Sequence, residues 1–307
     1  KRRYDEGWDV LRAKRDAKQR ATKLFPKEWA LSPRPDHVPA WDTLSAEDKN
    51  WEARRMEAYA AMVDILDQNV GRLIDHLKQT GQWDNTLLLF CSDNGACPFE
   101  RTRGKDKDPW DPKSYWTYDV GWAHLGNTPF RLYKQNQHEG GISSPLIVHT
   151  PASIATDKTT FRPSPTGTLT DQPAHLIDFM ATFLDLSGAA YPKQVGDRQI
   201  DPLQGRSLLP ILRCEQREPH ETLYFHFATD RALRQGDWKL VAAKGGPWEL
   251  YSVKNDRTEL HDLAAREHQR LAAMKKEWFR LAKDLDRLPP AQLKPATEKP
   301  ATLKFGR

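Results

Sequence analysis

With 307 residues, 38% of them hydrophobic and 11 of them tryptophan, the chain has material for one large or two modest domains and argues against general disorder. A net charge of +5, with no long basic tract and no aromatic ladder, argues against a nucleic-acid binder, and no apolar run approaches the ~18–20 residues of a membrane span. Its 3 cysteines, Cys91, Cys97 and Cys214, form no C-x-x-C pair and so suggest neither a disulfide framework nor a zinc site.

Residues 4–35 are charged and aromatic. Tyr4-Asp5-Glu6-Gly7-Trp8-Asp9 opens a helical pattern carried by Val10, Leu11 and Ala13, and Pro33 and Pro35 mark a loop. Trp41 reads as a packing anchor. The clearest helix spans 45–79. Ser45 can cap it, and Asp48 suits the positive end of the helix dipole. Tyr59, Met62, Val63, Leu66, Val70, Leu73, Ile74 and Leu77 repeat at 3.6 residues and predict one buried face, which Thr80-Gly81 ends. After Thr86, residues 87–91 run apolar without a break, as a central parallel strand covered on both faces would.

Ser92-Asp93-Asn94-Gly95 stops that strand abruptly. Ligands of open α/β sheets sit beyond the carboxyl ends of strands. Asp93 and Asn94 offer a carboxylate and an amide carbonyl there, both hard oxygen ligands for Ca²⁺ or Mg²⁺. The same residues also suit an ordinary Asx-Gly turn. Residues 96–126 read as a long irregular loop, broken by Pro98, Pro109 and Pro112 and rich in aromatics (Trp110, Tyr115, Trp116, Tyr118, Trp122). Such a loop is either the wall of a pocket for an apolar or aromatic group or a packed cover. His124 near its end is a candidate substrate contact.

Asn127-Thr128-Pro129-Phe130-Arg131-Leu132-Tyr133-Lys134 leads into His138-Glu139-Gly140-Gly141 and the apolar run Pro145-Leu146-Ile147-Val148. Residues 152–168 form a loop. A second helix is predicted from 169 to Ser187-Gly188, with Asp178 and His175 in structural roles. Past Cys214 the pattern changes. Runs at 223–227, 231–234, 238–241 and 248–251 predict an antiparallel meander, and 263–285 predict a final helix. The Pro- and Lys-rich tail 291–307 reads as loosely ordered.

This succession resembles the sulfatase family of the alkaline phosphatase superfamily, in particular bacterial arylsulfatases. The resemblance rests on the strand ending S-D-N-G, on a lysine five residues before E-G-G, and on the P-L-I-V strand. It continues through "H-L-I-D-F-M-A-T-F-L-D-L-S-G-A", the segment 201–212, and the phrases "R-A-L-R-Q-G-D-W-K-L-V" and "W-E-L-Y". It implies an α/β alkaline-phosphatase-like sandwich, incomplete at the N-terminus, over 1–212. A small α+β subdomain of antiparallel sheet plus helix would follow over 213–307.

The resemblance further implies metal-dependent hydrolysis of sulfate monoesters, aryl or carbohydrate. Asp93 and Asn94 would be Ca²⁺ ligands, Lys134 the catalytic sulfate contact, and His138 and His124 lesser substrate contacts. His138 is read first as a local hydrogen-bonding residue. The family's nucleophile is a formylglycine made within C-x-P-x-R, a motif these residues lack: Cys97-Pro98-Phe99-Glu100-Arg101 has its proline one place early. The expectation is therefore a C-terminal portion, inactive alone, with the nucleophile and further acidic ligands upstream of Lys1. A periplasmic or secreted site follows by resemblance, with a cytoplasmic one open. Two competing readings are a phosphoesterase or phosphonate hydrolase of the same superfamily and a non-catalytic binder of sulfated ligands.

Overall fold

A computed structural model describes residues 2–99, 106–150 and 167–287. The predicted tail 291–307, nearly all of the loop 152–168, and Glu100-Arg101 lie outside the described residues. Contacts divide the chain into two compact units. One comprises Lys1–Asn69, Cys91–Pro145 and Thr222–Arg307; the other comprises Val70–Phe90 and Leu146–Glu221.

The first unit is built around tryptophans. Helix α1 (Gly7–Ala21) and helix α3 (Asp119–Gly126) pack together. Trp8, Trp41 and Trp122 meet edge to face, with ring centroids 4.8 to 5.6 Å apart. Edge contacts of this kind suit the aromatic quadrupole, and each buried indole also needs an acceptor. Trp8 Nε1 donates to the Pro39 carbonyl at 3.1 Å, and Trp122 Nε1 to the Glu52 carbonyl at 3.1 Å. Trp41 is thus the anchor its position predicts. Arg12 is buried and spends its guanidinium on the Ser32 carbonyl (2.6 Å), Ser32 Oγ (2.7 Å) and the Pro129 carbonyl (3.3 Å). Burial pushes its pKa down to about 10, so it stays charged near neutral pH.

Helix α2 (Ala46–Gln79) begins as predicted: the Asp48 amide donates to Ser45 Oγ at 3.0 Å. Its apolar stripe departs from expectation. The buried residues are Glu52, Ala53, Arg55 and Met56 near the N-terminus, whereas Met62 is 56% and Leu66 50% exposed. Tyr59, at the head of the stripe, packs on Tyr118 with ring centroids 4.2 Å apart, but Met62, Val63, Leu66 and Leu73 are exposed. Strand β1 (Leu88–Cys91) differs in the same way. Among the described residues it pairs with β2 (Leu146–His149) alone, and Phe90 and Ile147 are exposed, so it is not covered on both faces.

The predicted loop 96–126 ends in a helix rather than staying irregular. In α3 the run Val120 to Leu125 is buried, which makes Trp122 a core residue and not a pocket wall. Trp110 and Tyr115 remain exposed.

The C-terminal sheet matches the predicted meander. Strands β5 (Leu223–Phe227), β6 (Asp230–Gln235), β7 (Trp238–Ala242) and β8 (Glu249–Ser252) pair antiparallel in chain order. Alternation gives the sheet two different faces. Leu233, Leu240 and Leu250 pack on Met274, Trp278 and Ala282 of helix α7 (His268–Leu285). The other face carries Ala232, Val241 and Tyr251, and with them the charged residues Lys239 and Glu249. Helix α7 starts five residues later than predicted because acidic side chains hold the preceding segment in turns. Asp262 Oδ1 accepts from the amide of Ala264 (2.8 Å), inside the predicted first turn, and Asp256 from those of Leu260 (2.9 Å) and His261 (2.7 Å) just before it, an alternative to helix that Asp favours.

In the second unit, helix α5 (Asp178–Ser187) ends at Gly188 in the left-handed region, as predicted. It begins later than expected because Pro173 breaks the earlier pattern and Asp178 caps the turn before it. The Asp178 carboxylate is fully buried and accepts from the amides of His175 (2.8 Å) and Arg206 (2.9 Å), from Arg217 Nη1 (2.8 Å), and pairs with His220 Nε2 (2.7 Å). Asp178 and His175 are therefore structural. A short helix α6 (Leu209–Leu212) and a hairpin of β3 (Gln194–Val195) and β4 (Arg198–Gln199), which sequence reasoning did not anticipate, complete this unit.

Candidate active site

Three stretches of backbone in the first unit are stacked at glycine-only distance. A Cβ on Gly95 would lie 1.8 Å from the Gly140 carbonyl oxygen, one on Gly140 2.2 Å from that of Arg131, and one on Gly141 1.9 Å from that of Asn136. Any side chain would push the layers apart, which is why S-D-N-G and E-G-G need their glycines here. Hydrogen bonds join the layers. The Gly95 amide donates to the Gly141 carbonyl at 2.9 Å, and the Lys134 amide to the Ala96 carbonyl at 3.0 Å. Asn127 bridges with both ends of its amide: Oδ1 accepts from the Ala96 amide (3.0 Å), and Nδ2 donates to the Leu132 carbonyl (2.9 Å).

The turn carrying Asp93 and Asn94 and the loop carrying Lys134 therefore belong to one backbone assembly. Asp93 is exposed, and Asn94 and Lys134 are half-buried. Ser92 Oγ is spent locally, donating to the Asn94 carbonyl at 2.8 Å. Among the described residues, the side chains of Asp93, Asn94 and Lys134 have no hydrogen-bond or ion-pair partner. Leu132 (φ 62°) and Gln135 (φ 77°) flank Lys134 in the left-handed region, a cost that bulky residues bear only where the surroundings dictate it.

Ca²⁺ takes six to eight oxygen ligands. Asp93 and Asn94 have the right donor chemistry and are uncommitted, so they fit part of such a shell. Among the described residues no group of three or more His, Cys, Asp or Glu could hold an ion by itself.

The two histidines are placed differently from Lys134. The His138 ring is fully buried and lies 3.0 Å through Nε2 from Glu249 Oε2 on the C-terminal sheet, so its local hydrogen-bonding role is the one the geometry carries. His124 is 1% exposed on α3, and neither ring nitrogen has a hydrogen-bond partner among the described residues. Burial, reinforced by Arg12, Arg34 and His37, pushes its pKa down to about 3. Its ring is buried in the core of the first unit and neutral near pH 7.

Sequence reasoning missed the polar cluster beneath E-G-G. Glu139 is buried with Lys239 Nζ at 2.8 Å from Oε1 and Arg257 Nε on Oε2. Burial alone would raise its pKa, but these two cations hold it well below the usual carboxylate range. The one signal in the chain was a lysine inside the apolar strand Trp238-Lys239-Leu240-Val241.

Comparison with solved structures defines the class first. Ps i-CgsB, in a complex with k-i-k-neocarrahexaose, superposes on 94% of this chain and 57% of its own with a TM-score of 0.52 at 24% identity. BT4656, in a complex with its substrate D-glucosamine-2-N,6-O-disulfate, does so on 92% and 48% with a TM-score of 0.52 at 21% identity. The fold is the alkaline-phosphatase-like α/β fold that these proteins share. Family models then narrow it: sulfatase matches residues 12–189, and N-sulphoglucosamine sulphohydrolase, C-terminal, matches residues 130–284. The chain belongs to the sulfatase family. An uncharacterized sulfatase of Schizosaccharomyces pombe is 32% identical over 85% of this chain and 50% of its own length. The arylsulfatase of Klebsiella aerogenes is 26% identical over 71% and 47%. The chain thus spans about half the length of the curated relatives it matches.

Proposed function

We propose that this chain carries one part of the active site of an arylsulfatase-type sulfuric ester hydrolase, with Asp93 and Asn94 as ligands of a Ca²⁺ ion and Lys134 as the sulfate contact. The observation that carries this is the backbone lock between the Asp93–Asn94 turn and the Lys134 loop: the Lys134 amide donates to the Ala96 carbonyl at 3.0 Å. It ties the backbone of Lys134 to the strand end that carries Asp93 and Asn94, which supports reading the three as one site. A bound divalent ion supplies Lewis acidity and orients the ester. The Lys134 ammonium offsets the negative charge that grows on the sulfate and leaving oxygens as the S–O bond breaks, which is where a fixed charge is most effective. Trp110 and Tyr115 suit contact with the sugar or aryl ring of the ester.

The nucleophile, a formylglycine by family resemblance, requires C-x-P-x-R, which these residues do not contain. Reading the coding DNA upstream of Lys1 is the direct test. A frame that continues into C-x-P-x-R after an aspartate pair supports the reading, and a frame that offers no such motif overturns it. In the protein that such a frame encodes, Lys134→Ala is expected to lower kcat for 4-nitrophenyl sulfate by about 10²–10³. Asp93→Ala is expected to weaken Ca²⁺ binding, read by calorimetry. The isolated 307 residues should not release 4-nitrophenol.

A further inference from the structure

The C-terminal sheet presents a buried charge cluster to the E-G-G turn. Lys239 and Glu259 are fully buried, and Lys239 Nζ lies 2.8 Å from both Glu139 Oε1 and Glu259 Oε1. The Glu139 amide donates to Glu259 Oε2 at 2.7 Å, so the turn is gripped by main chain and side chain together. Arg257 binds the second Glu139 oxygen and donates to Ser143 Oγ at 2.8 Å, closing the far side of the turn. Arg131 Nη1 reaches the Tyr251 hydroxyl (2.9 Å) and the Glu259 carbonyl (3.0 Å) from the loop that carries Lys134. Two cations, Lys239 and Arg257, face two carboxylates, Glu139 and Glu259, so the cluster is neutral as a whole. Removing one member would leave a buried charge uncompensated.

We infer that the Lys239–Glu139–Glu259 cluster is a positioning device for the candidate site, setting through the Gly140-Gly141 turn where the Asp93–Asn94 turn and Lys134 stand. The route is continuous. Fixing Glu139 fixes Gly140 and Gly141; the Gly141 carbonyl holds the Gly95 amide, next to Asn94, at 2.9 Å. The Gly140 carbonyl leaves no room for Gly95 to shift toward it. This gives the C-terminal sheet a part in the site although it touches neither metal nor sulfate. The inference rests on the reading of Asp93, Asn94 and Lys134 above for its functional meaning, but the mechanical coupling can be read independently.

The test is hydrogen exchange of the 307-residue chain as Lys239→Met and as the isosteric Glu139→Gln, the latter serving should the former not fold. Folding is judged by unchanged protection of the β6 and β7 amides. Met274→Ala, on the opposite face of the sheet, is the control for general loss of stability. The expected result is exchange at least about 10-fold faster at the Gly95 and Lys134 amides in either cluster variant and not in the control, a loss of about 1.4 kcal/mol in local opening free energy. Unchanged exchange at these two amides, or equal acceleration by Met274→Ala, overturns the inference. A parallel Ca²⁺ titration of the protein extended upstream of Lys1 through C-x-P-x-R, as wild type and as the same variants, separates the coupling from the metal reading. Exchange that responds while wild type binds no Ca²⁺ upholds the coupling and counts against the metal reading. Ca²⁺ binding that the cluster variants leave unaltered overturns the inference alone.

Discussion

His124 sits only a few residues before the candidate site in sequence yet contributes to stability rather than to its surface. Its folded pKa is about 3 against an ordinary 6.5, because burial and neighbouring cations oppose a second proton. The unfolded chain therefore binds more protons than the folded one between these values. The stability His124 contributes is complete above pH 6.5 and falls as the pH drops through that window, by at most about 1.4 kcal/mol per pH unit. Glu139 and Glu249, both held below their ordinary 4.5, keep their contribution above that value and lose it only at lower pH. Urea denaturation at pH 6.5 and pH 5 thus isolates the histidines. His37 and His175, also lowered by burial, share the effect. His124→Asn should flatten the pH dependence, and a variant as steep as wild type would contradict the assignment. Residues of the site were unevenly legible. Asp93 and Asn94 could be proposed because an Asx-Gly turn after an apolar strand is a local signal, and Lys134 because of its place before E-G-G in the family resemblance. Glu139, Lys239 and Glu259 were not legible, because Glu139 lies 100 residues from Lys239 and 120 from Glu259 in sequence and charge alone predicts solvent.

Helices α1 and α3 pack through a glycine, and that contact decides how much of the tryptophan core survives substitution. A Cβ on Gly121 would lie 2.4 Å from Trp8 Cδ2. Alanine gains about 1 kcal/mol in helix propensity over glycine. Here the collision outweighs it: Trp8 is wedged between Trp41 and Trp122 and cannot retreat. Gly121→Ala should cost about 2 kcal/mol in the urea midpoint analysis; an unchanged or higher midpoint would show that Trp8 moves freely. At this scale the sequence was most informative where the period was long and caps were explicit, as in the start of α2 and the four strands of the C-terminal sheet. It failed where a short helix was hidden among prolines and aromatics, as in α3. It also failed where an acidic side chain captured a backbone amide, as Asp262 does that of Ala264 ahead of α7.

Across the whole molecule, the apolar positions of the middle of α2 are the largest departure from the predicted core. Periodicity correctly marked Met62, Val63 and Leu66 as one face, but a stripe in sequence says only that something should cover it, not that these residues do so themselves. In the described chain all three are exposed. Ile65, beside them, is exposed as well. Contiguous exposed apolar surface on a helix drives association, because each contact that removes it from water is favourable at roughly 25 cal/mol per Å². The isolated 307-residue chain is therefore expected to self-associate in a concentration-dependent way, read by sedimentation velocity. Met62→Lys combined with Leu66→Glu should weaken that association by about ten-fold or more, a change of about 1.4 kcal/mol. Both substitutions place good helix formers at exposed positions, so the melting transition should stay within about 0.5 kcal/mol of wild type. A wild-type chain that remains monomeric at all accessible concentrations would contradict the expectation. Association that the double variant leaves untouched would move its origin from α2 to another surface, such as exposed Phe90 and Ile147 of the β1–β2 pair.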